Sequence, residues 1–469
     1  MTIPPDATDP GSPPTAPPTF RQALRVFAYI GIHSFGGPAG QIAVMHKVLV
    51  EDRRWISEER FLHALNYCML LPGPEATQLV TYVGWLMHRT MGGIAAGVLF
   101  VLPGFISILA LTLAYTLLRD VGVVEALLFG LKAATLAIVV EAVIRIGKRV
   151  LKNGVMLAIA AAAFVAIFGF GVPFPLIIVS AALIGLIGSR IAPGFFAVLK
   201  PKAASDEHAA IVYATDIVDN AHTRPNAWRT VRTIMVWLTL WLGPVIAIRA
   251  WLGPGHIFTL QAEFFSKAAV VTFGGAYAVL AYIAQQAVEV YGWLAPGEML
   301  TGLGMAETTP GPLIQVVQFV GSVGAFHDPG PLSPVSAAVL AAVLVTWVTF
   351  VPCFLWIFAG APYVEAVRGK PALAAALSSI TAAVVGVVLN LAVWFAAHTL
   401  FRETFTVTDF GLRLTLPRLS TLDPAALVVA AMAAFVLFRL HWGVMKTLAL
   451  ALLLGLVWHA IGYAAGRFG

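Results

Sequence analysis

From about residue 20 onward the chain alternates between apolar runs and short polar connectors. Six runs, at 93–118, 122–146, 229–252, 334–360, 372–398 and 442–465, are long enough to cross roughly 30 Å of hydrocarbon, which takes about 20 helical residues. Three shorter runs, at 154–170, 172–190 and 424–438, approach that length. The other apolar segments are interrupted: 26–50 is cut at Gly36-Gly37-Pro38, and 61–91 is cut at Pro72-Gly73-Pro74. The halves of the first, 11 or 12 residues each, are too short to span. This pattern predicts an all-α polytopic membrane protein of about 13 hydrophobic segments, about nine of them full crossings and four of them re-entrant and broken.

The interruptions come in matched pairs. Phe35-Gly36-Gly37, Trp55 and Pro72-Gly73-Pro74 return as Phe273-Gly274-Gly275, Trp293 and Pro310-Gly311-Pro312, each displaced by 238 positions. One chain therefore holds two copies of one unit. Broken helices inside a bilayer are tolerated where they line a polar cavity, and paired breaks in two repeats point to the binding site of a transporter. The expected organisation is a Pro-rich disordered tail at 1–20, a first repeat at 21–190, a hydrophilic linker at 191–228, an unpaired helix at 229–252 and a second repeat at 259–465. The tail has seven prolines and two aspartates, and lacks the basic start and apolar run of a signal peptide.

Composition supports the same class: 59% of the 469 residues are hydrophobic and 11% are charged, so the lipid bilayer is the expected surrounding. The net charge of +6 sits in short loops between apolar spans, not on one basic face of the kind that binds nucleic acid. Cys68 and Cys353 fall within apolar segments, without CxxC spacing or a nearby His at ligand spacing, so neither a disulfide nor a metal site is expected. No nucleotide-binding glycine loop, dinucleotide fingerprint, His-Glu metal helix or nucleophile elbow is present. The expectation is a protein that is not an enzyme and needs no cofactor, with any uphill transport driven by an ion gradient or the membrane potential.

Charge then sets sidedness. Arg21 and Arg25 precede the first broken segment, and Arg53, Arg54 and Arg60 follow it, which puts both flanks in the cytoplasm. Arg89 marks the exit of the second broken segment. The acid-free loop with Arg145, Lys148, Arg149 and Lys152 is cytoplasmic, as is the linker. A single crossing at 229–252 delivers the second copy to the opposite side, so the repeats are expected to be inverted. In agreement, the loop matching Arg53-Arg54 contains Glu289 and Glu298 but no Lys or Arg, while Arg368, Lys370 and Arg439 fall where an inverted copy faces the cytoplasm. The N-terminus is expected in the cytoplasm and the C-terminus in the periplasm.

The broken segments suggest a ligand. A helix start exposes unpaired N–H groups and about half a positive charge, so it attracts anions without any side chain. Pro38, Pro74 and Pro312 stand where a first helical residue is expected, and the glycines before them permit tight turns and close approach. Four such starts converging near the midplane sum to about +2, which matches a dianion. Lys267 adds a full charge within an apolar run, and Ser34, Thr77, Gln78, Thr272, Thr308, Thr309, Gln315 and Gln318 crowd the same breaks as hydrogen-bond donors. Glu75 and Glu307 are candidates for coupling protons to transport, although Glu75 equally suits the dipole of its own helix. Lys132 and Glu141, nine residues apart on 122–146, are out of helical register and are assigned no role.

The combination SFGGPAGQIAVMHKVLVEDRRWISEERF, LPGPEATQLVTYVGW and VLPGF, with the second copy KAAVVTFGGAYAVL, YGWLAPGEML and TTPGPL, closely resembles the chromate transporter family in its long, two-domain form, from about 20 to 465. The resemblance implies a secondary transporter of the bacterial inner membrane that exports chromate, confers chromate resistance and meets sulfate as an analogue; it leaves room for a homodimer. It carries the family's motif residues onto Phe35, Gly36, Gly37, Pro38, Trp55, Pro72, Gly73 and Pro74, and onto Phe273, Gly274, Gly275, Trp293, Pro310, Gly311 and Pro312. This chain departs from the pattern in having Tyr29 where the first half would match Lys267, and Ala276 after the second FGG. An exporter or channel for another anion, such as sulfate or a small organic carboxylate, is the alternative reading.

Overall fold

A computed structural model describes residues 18–119, 121–196, 220–273, 275–363, 371–409 and 412–464. Most of the Pro-rich tail and of the linker, Gly274, and Arg368 with Lys370 lie outside the described residues. The described chain is built almost wholly of helices. In the first repeat these are α1 (Phe20–His33), α2 (Gly37–His46), α3 (Glu58–Cys68), α4 (Glu75–Leu118), α5 (Gly122–Val150), α6 (Gly154–Phe170) and α7 (Phe174–Ile191). After α8 (Ala227–Leu252) the second repeat runs through α9 (Ile257–Val271), α10 (Ala276–Gln285), α11 (Glu298–Thr308), α12 (Val316–His327), α13 (Pro334–Gly360), α14 (Pro371–Leu400), α15 (Pro424–Arg439) and α16 (Val444–Ala464).

The two sets correspond element by element. α4 is bent where His88 and Arg89 leave helical geometry, Arg89 at φ +53°, so its two arms match the separate helices α12 and α13. A wider helical turn of π type follows both α2 (Lys47–Asp52) and α10 (Gln286–Val290). α4, α5, α7, α8, α13, α14 and α16 are long and apolar enough to cross a membrane, and α6 and α15 are shorter apolar helices of the same kind. These nine helices occupy the nine apolar runs, seven of them at full spanning length, and the protein is a polytopic, multi-pass membrane protein.

The repeats exchange helices rather than stand side by side. α5 of the first copy packs against α15 and α16 of the second, and α14 of the second packs against α6 and α7 of the first. Without a hydrophobic drive between helices in lipid, close backbone approach supplies the attraction. A Cβ on Gly130 would lie 2.1 Å from the Ala451 carbonyl oxygen, and one on Gly455 would lie 2.2 Å from that of Ala126, so α5 and α16 meet backbone to backbone. Gly386 of α14 stands equally close, 2.1 Å, to the Ala160 carbonyl of α6. α8 lies against α9 and α13 with only Trp241 and Val245 buried, as a peripheral helix without a counterpart.

Between α14 and α15 the chain forms an antiparallel hairpin, β1 (Thr404–Asp409) with β2 (Leu412–Pro417), paired from Thr404↔Pro417 to Asp409↔Leu412. Its Thr-Phe-Thr-Val-Thr and Leu-Arg-Leu-Thr-Leu alternation has period two, and β-branched residues suit a pleated ribbon.

Candidate functional site

Each FGG break docks against the PGP break of the other repeat. The Gly311 N–H donates to the Ser34 carbonyl at 2.9 Å, and the Gly73 N–H donates to the Thr272 carbonyl at 2.8 Å. Since Ser34 and Thr272, like Gly73 and Gly311, are 238 positions apart, these are one contact made twice in opposite senses. Both glycines have positive φ, +117° at Gly73 and +91° at Gly311. Each also packs on a proline-containing helix of the opposite repeat. A Cβ on Gly311 would lie 3.2 Å from Gly104 of α4, next to Pro103, and one on Gly73 would lie 3.3 Å from Cys353 Sγ of α13, next to Pro352. Gln41, buried on α2, adds a bond from its Nε2 to the Gly311 carbonyl at 2.7 Å.

The helix starts at these four breaks share a second property: no side chain caps them. α2 starts behind Gly36 (φ +79°), α4 behind Pro74, the 3₁₀ turn Leu313–Gln315 behind Pro312, and α10 behind Gly275 (φ +102°), all without a side-chain bond to the first turn. By contrast Thr19, Ser57, Asn153, Asn226, His256, Ser333 and Asp423 cap α1, α3, α6, α8, α9, α13 and α15. α5, α7 and α11 also start without a side-chain cap. First-turn N–H groups are the ones without intrahelical partners, so buried, uncapped starts are suited to hold an anion.

Two expectations are corrected here. Pro74 and Pro312 are N-caps, one position before the first helical residue, with extended ψ of 109° and 132°; only Pro38 lies inside its first turn. A φ near −70° suits either position, so the sequence pattern does not separate them. The expected donors also divide. Ser34 Oγ and Thr272 Oγ1 each donate at 2.7 Å to the carbonyl four residues back, and Thr308 and Thr309 donate to Met305 and Ala306. Gln78 Nε2 donates to Pro72, and Gln318 Nε2 to Phe105. Gln315 Nε2 donates to Gln318 Oε1 and to Thr346. Among the described residues, the buried hydroxyls of Thr77, Thr81 and Thr349 and the carbonyl oxygens of Gln78 and Gln315 have no partner. These open groups are on α4, on the turn after PGP and on α13, and α9 adds the Thr259 and Ser266 hydroxyls and the Gln261 carbonyl oxygen.

The acids are placed unequally. Glu307, 2% exposed, accepts a hydrogen bond from the Tyr277 hydroxyl, which is on α10 just after the second FGG. Glu75, partly buried in the first turn of α4, has its Oε1 3.7 Å from where a side chain at Gly275 would begin. Both carboxylates thus border α10, and neither forms an ion pair within 4.0 Å among the described residues. Lys267 stands on the exposed face of α9 with Val270, one turn beyond the Glu263 that pairs with Arg249. Among the described residues, no hydrogen bond or ion pair joins Lys267 to the crossed motifs. Its counterpart Tyr29 stacks on His33 with ring centroids 4.0 Å apart. Gln41 and Tyr277 escaped the sequence reading, though both lie within a turn of an FGG motif.

Known proteins agree with this architecture. The family described as "Chromate transporter" matches residues 21–186 and 258–457, which are the two repeats without α8. The chain is 30% identical over 386 residues to the chromate transport protein of Pseudomonas aeruginosa, covering 82% of each chain. It is 27% identical over 398 residues to that of Cupriavidus metallidurans, covering 85% of this chain and 88% of the relative. It is also 25% identical over 425 residues to a probable chromate transport protein of Synechococcus elongatus, covering 89% of this chain and 95% of the relative. No solved structure matches. With both repeats covered and both pairs of breaks in register, the chain belongs to the chromate transporter family.

Proposed function

We propose that the protein exports chromate from the cytoplasm by alternating access, binding the dianion among the four uncapped helix starts where FGG of one repeat crosses PGP of the other. The observation that carries this reading is the reciprocal pair Gly311–Ser34 and Gly73–Thr272, which draws the four starts into two matched half-sites. The turn Leu313–Gln315 also contacts α10, which brings the half-sites toward each other. Thr77, Thr81 and Thr349 supply hydroxyl donors, and the helix starts supply N–H groups and a summed charge of about +2. Lys267 attracts the anion from the exposed face of α9, and Glu75 and Glu307 carry any coupled protons. The N-terminus is cytoplasmic and the C-terminus periplasmic in a bacterial inner membrane, as the loop charges ask.

The energetics need no cofactor. Moving a dianion outward down an inside-negative potential gains about 4.6 kcal/mol per 100 mV, enough for an outward gradient on the order of a thousandfold. Proton coupling is compatible with export but not required by it. The test is chromate uptake into everted vesicles, with and without excess sulfate, together with resistance of a sensitive host. Saturable uptake that stops when the potential is collapsed supports the reading; expression that neither raises resistance nor lowers cell chromium refutes the substrate. Uptake that never saturates identifies a channel instead.

A further inference from the structure

The corresponding helices α3 and α11 are not used alike. α3 packs chiefly on α4 of its own repeat, whereas α11 packs on α12 and also reaches across to α4 and α5 of the first repeat. At the N-terminal end of α11 this crossing is held by one buried carboxylate. Glu298, 5% exposed, accepts from the Tyr115 hydroxyl at 2.7 Å and from the Ala295 N–H at 2.8 Å, and pairs with Arg119 at 3.5 Å. The ammonium of Lys132 on α5 lies 3.3 Å from where a side chain on the adjacent Gly297 would begin. The matching position in the first repeat, 238 residues earlier, is Arg60, so no carboxylate stands there.

We propose that Glu298, with Tyr115 and Arg119, is the latch of the outer gate: it closes the periplasmic side while the α3 side stays loosely packed. The proposal rests on the transport reading above. Tyr115 and Arg119 end the arm of α4 that begins at Arg89, and Lys132 is on the half of α5 remote from Arg145, Lys148 and Arg149, so the cluster is at the end of the bundle opposite the basic loops. Opening that side separates α11 from α4 and α5, and the carboxylate must exchange Tyr115 and Arg119 for water while keeping the Ala295 N–H of its own turn. Hydrogen bonds to a buried charge are stronger than neutral ones, and removing one shifts a two-state equilibrium by about tenfold or more.

The test places a cysteine at Thr301, fully buried one turn into α11, in the full chain, whose native thiols Cys68 and Cys353 are buried and set the baseline. A membrane-impermeant charged maleimide is applied to either face of sealed vesicles. With the latch intact, labelling from the periplasmic face is slow; Tyr115→Phe and Glu298→Ala each raise it about tenfold. Tyr115→Phe serves where Glu298→Ala fails to fold. Unchanged labelling in Tyr115→Phe, or a rise only from the cytoplasmic face, overturns the latch. Labelling needs no substrate, so a faster rate in a protein that does not move chromate refutes the substrate and upholds the gate.

Discussion

Replacing Gly311 with Ala tests whether the crossed motifs hold the repeats together. At φ +91° an L-residue costs about 1–2 kcal/mol by itself. The new methyl would also stand 3.2 Å from Gly104 Cα and N and 3.3 Å from the Phe100 carbonyl oxygen, all backbone atoms of α4 that cannot rotate away. Parting the PGP turn from α4 by a few tenths of an ångström strains the two bonds at the same residue, Gly311 N to Ser34 O at 2.9 Å and Gln41 Nε2 to Gly311 O at 2.7 Å. With about 1 kcal/mol for each weakened bond, the expected loss is about 3–4 kcal/mol. Gly171→Ala is the control: φ is +62° there and no atom lies within 4 Å of the new methyl, so only the conformational cost of about 1 kcal/mol remains. Thermal unfolding of both variants in detergent, followed by intrinsic fluorescence, compares them directly, and vesicle transport reports function. Equal destabilisation of the two would refute the claim that the FGG–PGP crossing carries tertiary structure.

Other substitutions address separate parts. Glu75→Gln and Glu307→Gln should each remove a step from the pH profile of chromate transport, and Tyr277→Phe should displace the Glu307 step without removing it, because it takes away a hydrogen-bond donor and leaves the carboxyl; an unchanged profile in all three sinks proton coupling through these acids. Lys267→Ala should weaken apparent chromate affinity while leaving the melting temperature unchanged, since the side chain is exposed; a lower melting temperature would show that it packs instead. Gly455→Leu forces a side chain into the 2.2 Å gap to the Ala126 carbonyl and should cost at least about 3 kcal/mol, read as loss of monodisperse protein on gel filtration.

The long elements were legible because hydrophobic length is a local property. The runs at 334–360 and 154–170 are helices with those bounds, and Arg89, expected as the exit of the second broken segment, stands at the bend in α4. Glycine and proline likewise announced where helices stop. What they did not announce is which break meets which: a displacement of 238 residues says that Gly73 and Gly311 are equivalent, not that each binds the carbonyl of the other copy's Ser34 or Thr272. That pairing is set by α5 and α14 packing on the opposite repeat, information spread over helix faces rather than held in a motif. Thr272 and Ser34 read as donors toward a ligand because their chemistry allows it, yet both turn back to their own helices, a choice made by the backbone geometry of the break. Glu298 read only as a loop charge, since Tyr115 is far away in sequence.

The exchange of helices between repeats also sets a schedule for synthesis. α5 ends at residue 150, and α16, whose Ala451 meets Gly130, begins only at 444, so 444 − 150 = 294 residues must be made before its glycine face is covered. At about 5–20 residues per second, the Gly130 face meets lipid or an insertion factor for roughly 15–60 s. Misassembly is open to the chain throughout that interval, which the arrival of α16 ends.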